Sequence, residues 1–154
     1  MKNHIFVCAV LAAFAVTASA QELTWRNDIE PIVRQGCADC HDAESREYGE
    51  WMLLDDALRK KEGPRLDTYT TFMNYVVWPA TGALQRRLDD GASTGGKPGN
   101  MYKHLGDTQA ERAKNLETIK TWLGEGAWFV NRFAARDNVP GVTKEQLEKF
   151  KAKY

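Results

Sequence analysis

The chain has few of the side chains that build disulfide or metal sites. Its 154 residues include three cysteines and three histidines, and one of each, Cys8 and His4, lies within the first twenty residues. With only one other cysteine pair, a structural zinc site would lack its four ligands. Net charge is missing too, because 21 basic residues balance 21 acidic ones. Nucleic acid is therefore not expected as a partner, since its recognition needs a basic patch.

Long apolar runs are also lacking. The longest covers residues 5–16, whereas a membrane-spanning helix needs roughly 20 residues. Lys2 precedes this run, and Ala18-Ser19-Ala20 follows it with the small-residue pattern that signal peptidase cleaves. We therefore expect residues 1–20 to be a cleaved signal peptide and Gln21 to begin the exported chain. After cleavage the protein is expected to be soluble, without membrane insertion.

Two cysteines remain after cleavage, Cys37 and Cys40, and His41 follows directly. Such a pair could form a disulfide, a redox-active dithiol, half of a zinc site or a haem attachment site. A disulfide closing so small a loop would constrain little of the unfolded chain. A thioredoxin-like site would follow a strand, and no strand pattern precedes this pair.

The string C-x-x-C-H is the attachment signature of c-type haem. Two thiols one helical turn apart reach the two vinyl groups on one edge of the porphyrin, and the adjacent histidine turns its imidazole toward the iron. The sequence therefore predicts one haem c per chain, bound covalently by Cys37 and Cys40, with His41 as the proximal iron ligand.

Helix signals run along the rest of the chain, and alternating strand patterns are absent, so the predicted class is all-α. Asp28 is the expected cap of the first helix. Thr108 with Glu111, and Thr143 with Gln146, form capping boxes, and a glycine-rich loop is expected at residues 89–100. The predicted helices cover residues 28–35, 50–61, 67–74, 81–91 and 108–123, and a last one begins at Thr143 and carries Leu147 and Phe150.

With these features, residues 24 to 125 resemble a class I cytochrome c. The resemblance is carried by the haem motif, by Asp28-Ile29-Glu30-Pro31-Ile32 before it, by Arg65-Leu66-Asp67-Thr68-Tyr69, by residues 79–88, and by Ile119-Lys120-Thr121-Trp122-Leu123 with Gly126-Ala127. It implies a single cytochrome c-like helical domain, residues 21–154, wrapped around one haem. Residues 125–154 are then a C-terminal extension of that domain.

The family has a methionine on the second side of the iron, in a loop well after the haem motif. Met101 matches this pattern, because it follows the glycine-rich loop and lies 60 residues beyond His41. Met52 and Met73 fall in predicted helices, where core packing is the usual role of methionine. His104 is the competing candidate, although an exposed histidine is the more ordinary interpretation.

The resemblance also suggests partners for the ligands and for the haem propionates. Gly63-Pro64 is similar to the turn whose carbonyl accepts a hydrogen bond from the proximal histidine, although an extra helix separates it from the motif here. Trp78, Arg86 and Arg87 are candidates to meet the propionates. A solvent-facing position is the alternative for at least one of the two arginines.

The function that the resemblance implies is periplasmic electron transfer, not catalysis. The haem iron would carry one electron between transient redox partner proteins. One alternative is a subunit of a larger periplasmic oxidoreductase, with Trp128, Phe129 and Phe133 as a docking surface unless they wrap the core of their own domain. Another is a haem enzyme or gas sensor with an open sixth position on the iron.

Overall fold

A computed structural model describes residues 22–129 and 142–154, and it confirms the all-α prediction. Within these residues there is no β-strand, only an isolated bridge between Arg46 and Pro64. None of the described helices is long and apolar enough to cross a membrane. The α-helices are α1 (Glu30–Gly36), α2 (Ala38–His41), α3 (Tyr48–Met52), α4 (Asp56–Lys61), α5 (Tyr69–Met73), α6 (Ala83–Leu88), α7 (Gln109–Leu123) and α8 (Lys144–Leu147).

The first helical segment begins earlier than predicted. A π-helical turn, Trp25–Ile29, runs directly into α1. Thr24 is its cap, accepting a hydrogen bond from the Asn27 N–H at 3.3 Å, and the carboxylate of Asp28 in turn accepts the Thr24 N–H at 2.8 Å. Asp28 is therefore the reciprocal partner of the cap, and its prediction as the cap itself is wrong. The early start places Trp25, which is 2% exposed, in the core.

The predicted helix over residues 50–61 is also wrong, because two short helices, α3 and α4, take its place. Asp55 interrupts the pattern: its side chain accepts the Leu58 N–H at 2.9 Å and starts a new helix there. A side-chain acceptor at this point competes with continuation of the preceding helix. The spacing of Trp51, Leu54 and Leu58 suggests one helix; Trp51 and Leu54 are half-buried, whereas Leu58 is 39% exposed. Leu53, at the break, is 88% exposed.

Capping explains most of the remaining helix bounds. The capping boxes of Thr108 with Glu111 and of Thr143 with Gln146 are both present, as predicted. α5 begins one residue after Thr68, which forms a further capping box with Thr71. α8 ends at Leu147, so Phe150 lies beyond the helix that was predicted to carry it. Leu147 is 51% exposed, whereas Phe150 packs against the core.

A cluster of aromatic rings forms the centre of the core. The rings of Trp25, Phe72 and Trp122 contact one another with centroids 5.1 to 6.0 Å apart, in tilted and edge-on arrangements. Tyr69 meets Trp25 and Trp122 edge-on. Aromatic pairs at such distances add to the stabilisation that burial alone provides. The cluster joins the first helical segment to α5 and α7.

Residues 149–154, called the strap below, run back across the first helical segment and α7. The carbonyl of Lys153 accepts two hydrogen bonds, from the Trp25 N–H at 2.7 Å and from the Trp122 indole at 2.8 Å. The Lys151 N–H donates to the Leu123 carbonyl at 2.8 Å. Tyr154 closes the contact, with its ring 5.5 Å from that of Tyr69. The strap therefore packs against the core, through Phe150 and Ala152, without being buried itself.

The end of α1 lies tightly against the 3₁₀ turn Tyr102–Leu105. This turn contacts α1, α6 and α7. A Cβ atom at Gly36 would overlap the carbonyl oxygen of His104. Only glycine leaves room for so close an approach of two backbones. The residue just before the haem motif is thus fixed by packing.

Gly36→Ala should therefore destabilise the domain, by about 1–3 kcal/mol, the usual cost of an overpacked contact. Gly49→Ala is a matched control, because it lies in α3 with nothing within 4 Å of its Cβ position. It should leave the free energy of unfolding unchanged or raise it by up to ~1 kcal/mol. Urea unfolding of the haem-loaded proteins measures both values. Equal effects of the two substitutions would contradict the proposed packing.

Candidate haem site

His41 ends α2 and is buried, with 9% of its surface exposed. Its ring Nδ1 lies 2.5 Å from the carbonyl oxygen of Pro64. A carbonyl only accepts, so Nδ1 carries the proton and donates it. In the neutral ring the lone pair is then on Nε2, which is the form that binds a metal. The expected hydrogen bond from His41 to the Gly63-Pro64 turn is confirmed.

Charge and burial favour the neutral ring as well. Burial lowers the pKa of His41, the hydrogen bond to Pro64 acts in the opposite direction, and the charges of Arg87 and His104 lower it again. The net pKa lies below its ordinary value. At neutral pH the imidazole therefore keeps its lone pair available. Arg87 and His104 also lie close enough for their charges to act on this ring.

The Pro64 carbonyl is itself held in place by the segments before it. The Leu66 N–H donates to the His41 carbonyl at 3.0 Å, and the Arg65 N–H donates to the Arg46 carbonyl at 2.8 Å. From α3, the Trp51 indole donates to the Glu62 carbonyl at 2.7 Å. These bonds fix the chain on both sides of Pro64. The inserted helices therefore bring the turn back to His41 despite its greater separation in sequence.

Gly63 completes this side of the ring. A Cβ atom there would overlap the Cys40 carbonyl and contact the His41 imidazole at Cε1 and Nδ1. The backbone of residue 63 therefore packs directly on the imidazole, and a larger residue would displace it. Such contacts hold a ligating histidine in one orientation.

The two cysteines of the motif are not joined to each other by a disulfide. Cys37 is half-buried, packed against the core, and burial raises the pKa of its thiol to about 11. Cys40 is exposed. Cys37 caps α2 and Cys40 lies within it, and the Cys40 N–H donates to the Cys37 carbonyl at 3.2 Å. The two side chains therefore lie one helical turn apart. This spacing fits the two attachment points of haem c.

Met101 lies at the start of the 3₁₀ turn Tyr102–Leu105 and is half-buried against the core. Its N–H donates to the Arg87 carbonyl, at the end of α6, at 2.9 Å. His104 lies three residues on, with an exposed side chain. Met52, at 39% exposure, accepts a weak contact from Arg59, and Met73 packs in α5. Of these side chains, Met101 combines a loop position with partial burial.

The candidates for the haem propionates differ in their surroundings. Trp78 is 69% exposed. Arg87 is exposed and donates to the side-chain oxygen of Asn100 at 3.1 Å, whereas Arg86 is half-buried. Arg87 thus matches the solvent-facing alternative, and its side chain also contacts the loop before Met101.

The pairing of Trp128 with Asp89 was not found from the sequence. Trp128, proposed above as part of a docking surface, is 7% exposed, and its indole donates to the Asp89 carboxylate at 2.8 Å. Trp128 therefore matches the other alternative given above, packing in the core of its own domain, and is not available for docking. The side chain of Phe129 and the whole of Phe133 lie outside the described residues. No local motif marks Asp89, because its partners are distant in sequence.

The sequence and the fold match a known family. The model of the family described as PccH Cytochrome c matches residues 24–154. The chain belongs to the PccH cytochrome c family. The solved structure of the monohaem cytochrome PccH from Geobacter sulfurreducens is 43% identical, with a TM-score of 0.72, covering 86% of this chain and 99% of that one. A comparison with the curated proteins gave no match.

Membership of the PccH cytochrome c family confirms the general nature of the protein. It is a monohaem c-type cytochrome with one covalently bound haem c, and it is an electron carrier and not an enzyme. The residues described above fit this cofactor: two cysteines one helical turn apart that form no disulfide, a histidine with Nε2 available, and a thioether on a loop. When bound, the haem supplies an iron that changes its charge by one electron.

Trp51→Phe should raise the reduction potential of the haem-loaded protein. Without the indole bond to Glu62, the Pro64 carbonyl is held less firmly, and a weaker bond to His41 makes the imidazole less basic, which stabilises ferric iron less. We expect a rise of about 20–40 mV, equivalent to 0.5–1 kcal/mol for one electron. A spectroelectrochemical titration measures it.

Trp122→Phe is the matched control for this titration. It also loses an indole hydrogen bond to a backbone carbonyl, at 2.8 Å, but from the strap and not from the Pro64 turn. Its potential should stay at the wild-type value. An equal shift in both variants would mean that the Trp51 effect is general and does not pass through His41.

Proposed function

We propose that this cytochrome is a periplasmic electron carrier in which Cys37 and Cys40 hold the haem by thioether bonds. His41 and Met101 are the axial ligands of its iron. The observation that carries the proposal is the hydrogen bond from His41 Nδ1 to the Pro64 carbonyl, which leaves Nε2 for a metal. The surrounding motif, Cys37-Ala38-Asp39-Cys40-His41, has the haem attachment spacing.

The choice of Met101 over His104 is supported by their positions. Met101 is half-buried against the core, whereas the side chain of His104 is exposed. The backbone of His104 is already fixed by its contact with Gly36. A thioether ligand raises the reduction potential relative to a second histidine. The protein is therefore proposed as a carrier with a raised potential and no open iron position.

The protein's part in electron transfer is to hold both ligands still. The bonds that fix Pro64 and the N–H of Met101 are made to the chain itself, and they do not depend on the oxidation state of the iron. The proton stays on His41 Nδ1, which donates it to the Pro64 carbonyl in both oxidation states, so no proton needs to move with the electron. Redox partners are expected to meet this protein through small, transient interfaces.

The proposed localisation rests on the N-terminal sequence. Residues 1–20 have the features of a cleaved signal peptide, and haem attachment signatures of this kind accompany export. Residues 21–154 are proposed to form one domain that includes the extension. The strap supports this, because it bonds to Trp25, at the start of the first helical segment, and to Trp122, near the end of α7.

Intact mass spectrometry of the exported protein tests both attachment and cleavage. The mass should equal that of a chain beginning at Gln21 plus one haem. Cys40→Ala should leave at most one thioether bond and much less haem-loaded protein, because one of the two proposed attachment points is lost. Undiminished covalent haem in this variant would refute the attachment assignment, and a retained Met1 would refute the cleavage.

Met101→Ala should open the sixth iron position to water or added ligands and lower the reduction potential, because a neutral thioether favours ferrous iron. It should also remove the weak near-infrared band of ferric haem with histidine and methionine ligands. His104→Ala should do neither. Absorption spectra and redox titration of the two variants decide between the ligands, since the opposite pattern would assign His104. A wild-type ferric protein that binds added ligands as readily as Met101→Ala would favour an open-site haem protein.

A further inference from the structure

The loop that carries Met101 is closed at its base by hydrogen bonds to the end of α6. Residues 89–100 leave this helix and return to it. The Gly99 N–H donates to the Asp89 carbonyl at 2.8 Å, and the Met101 N–H donates to the Arg87 carbonyl at 2.9 Å. The tip has little packing of its own, because residues 92–98 are all exposed. The position of Met101 therefore depends on how firmly this base is held.

Asp89 is the buried group at that base. It is 1% exposed. One carboxylate oxygen, Oδ2, accepts the N–H groups of Gly91 at 2.9 Å and Ser93 at 3.1 Å and the Thr94 hydroxyl at 3.3 Å. A buried carboxylate is stable only when its oxygens are fully hydrogen-bonded. The Asp89 carboxylate thus fixes the first turn of the loop, residues 91–94, by hydrogen bonds.

The other carboxylate oxygen, Oδ1, accepts the Trp128 indole N–H at 2.8 Å. Trp128 lies in the 3₁₀ turn Ala127–Phe129, beyond α7. The same turn is tied to α6 a second time, because the Gln85 amide donates to the Ala127 carbonyl at 3.3 Å. Gln85 and Asp89 are one helical turn apart, so the segment after α7 contacts the end of α6 at two points.

Burial raises the pKa of the Asp89 carboxyl, but the hydrogen bonds from Trp128, Ser93 and Gly91 outweigh it and leave the pKa below its ordinary value. The group therefore carries its negative charge at neutral pH. Hydrogen bonds to a charged acceptor are stronger than those between neutral groups. The bonds that the Asp89 carboxylate accepts from the first turn of the loop and from Trp128 are of this stronger kind.

We infer that Asp89 and Trp128 are positioning residues for the distal iron ligand. They hold the base of the loop shut so that Met101 stays on the iron. This inference rests on the proposed role of Met101. A thioether is a weak ligand, and its departure requires the loop to open. Local opening depends on the bonds that are broken in it, and the anchored carboxylate supplies these bonds from the interior.

The alternative is that the Asp89–Trp128 bond stabilises the whole domain without acting on the loop. Trp122→Phe distinguishes the two, because it removes an indole hydrogen bond of the same length, 2.8 Å, from the strap. Both Trp122→Phe and Trp128→Phe should lower the free energy of unfolding. Only Trp128→Phe should change how readily Met101 leaves.

Imidazole binding to the ferric haem-loaded protein, followed by stopped flow, measures that departure. At saturating imidazole the rate is limited by the loss of the distal ligand. Trp128→Phe and Asp89→Asn should raise this rate about tenfold or more, as expected when a hydrogen bond to a charged group is lost. Trp122→Phe should stay within roughly twofold of the wild type, the range expected when a change leaves an opening reaction unaffected. If Asp89→Asn fails to fold, Trp128→Phe decides alone.

Equal rates in Trp128→Phe and Trp122→Phe would refute the inference, while leaving Met101 as the ligand if the wild-type protein has the near-infrared band. A wild-type protein without that band would refute the ligand assignment, and the inference with it. The two failures are therefore distinguishable in the same set of samples.

Discussion

The hydrogen bond between His41 and the Pro64 carbonyl determines what the rest of the structure must supply. An imidazole has two nitrogens, and one must be committed to the protein before the other presents a lone pair in a fixed direction. In this protein the committed nitrogen lies 2.5 Å from a carbonyl that belongs to a turn more than twenty residues away. Trp51, Leu66 and Arg65 each donate a hydrogen bond to the chain on one side or the other of Pro64. Together these bonds keep the Pro64 carbonyl in place.

The two sides of the proposed iron site are built on different principles. On the side of His41, short helices and a glycine packed on the ring leave no space for movement. On the side of Met101, an exposed loop is joined to the rest of the domain by backbone bonds to α6 and by the buried Asp89. Because His41 is held rigidly and Met101 lies after a loop, any movement of an iron ligand is expected on the side of Met101. The segment after α7 helps to hold this loop through Trp128.

Much of the fold and of the site could be predicted from local sequence. The haem motif and the boxes at Thr108 and Thr143 act over a few residues, so their patterns are visible in the chain. The break at Asp55 was missed because a single capping side chain overruled an apolar spacing that continued past it. The sequence left open whether Trp128 packs in the core or forms a docking surface, because its partner Asp89 lies 39 residues away. Met101 remains a prediction that rests on its position.

The strap has a consequence for how the protein folds. Arg26 donates to the Tyr154 hydroxyl across 128 residues, and Lys153 bonds to both Trp25 and Trp122. Contacts between such distant parts of a chain give it a high contact order, and closing so long a loop slows folding. Residues 149–154 make their bonds to Trp25 and Trp122 only once they have reached the first helical segment. Docking of this strap is therefore expected to be slow compared with formation of the helices between the two segments.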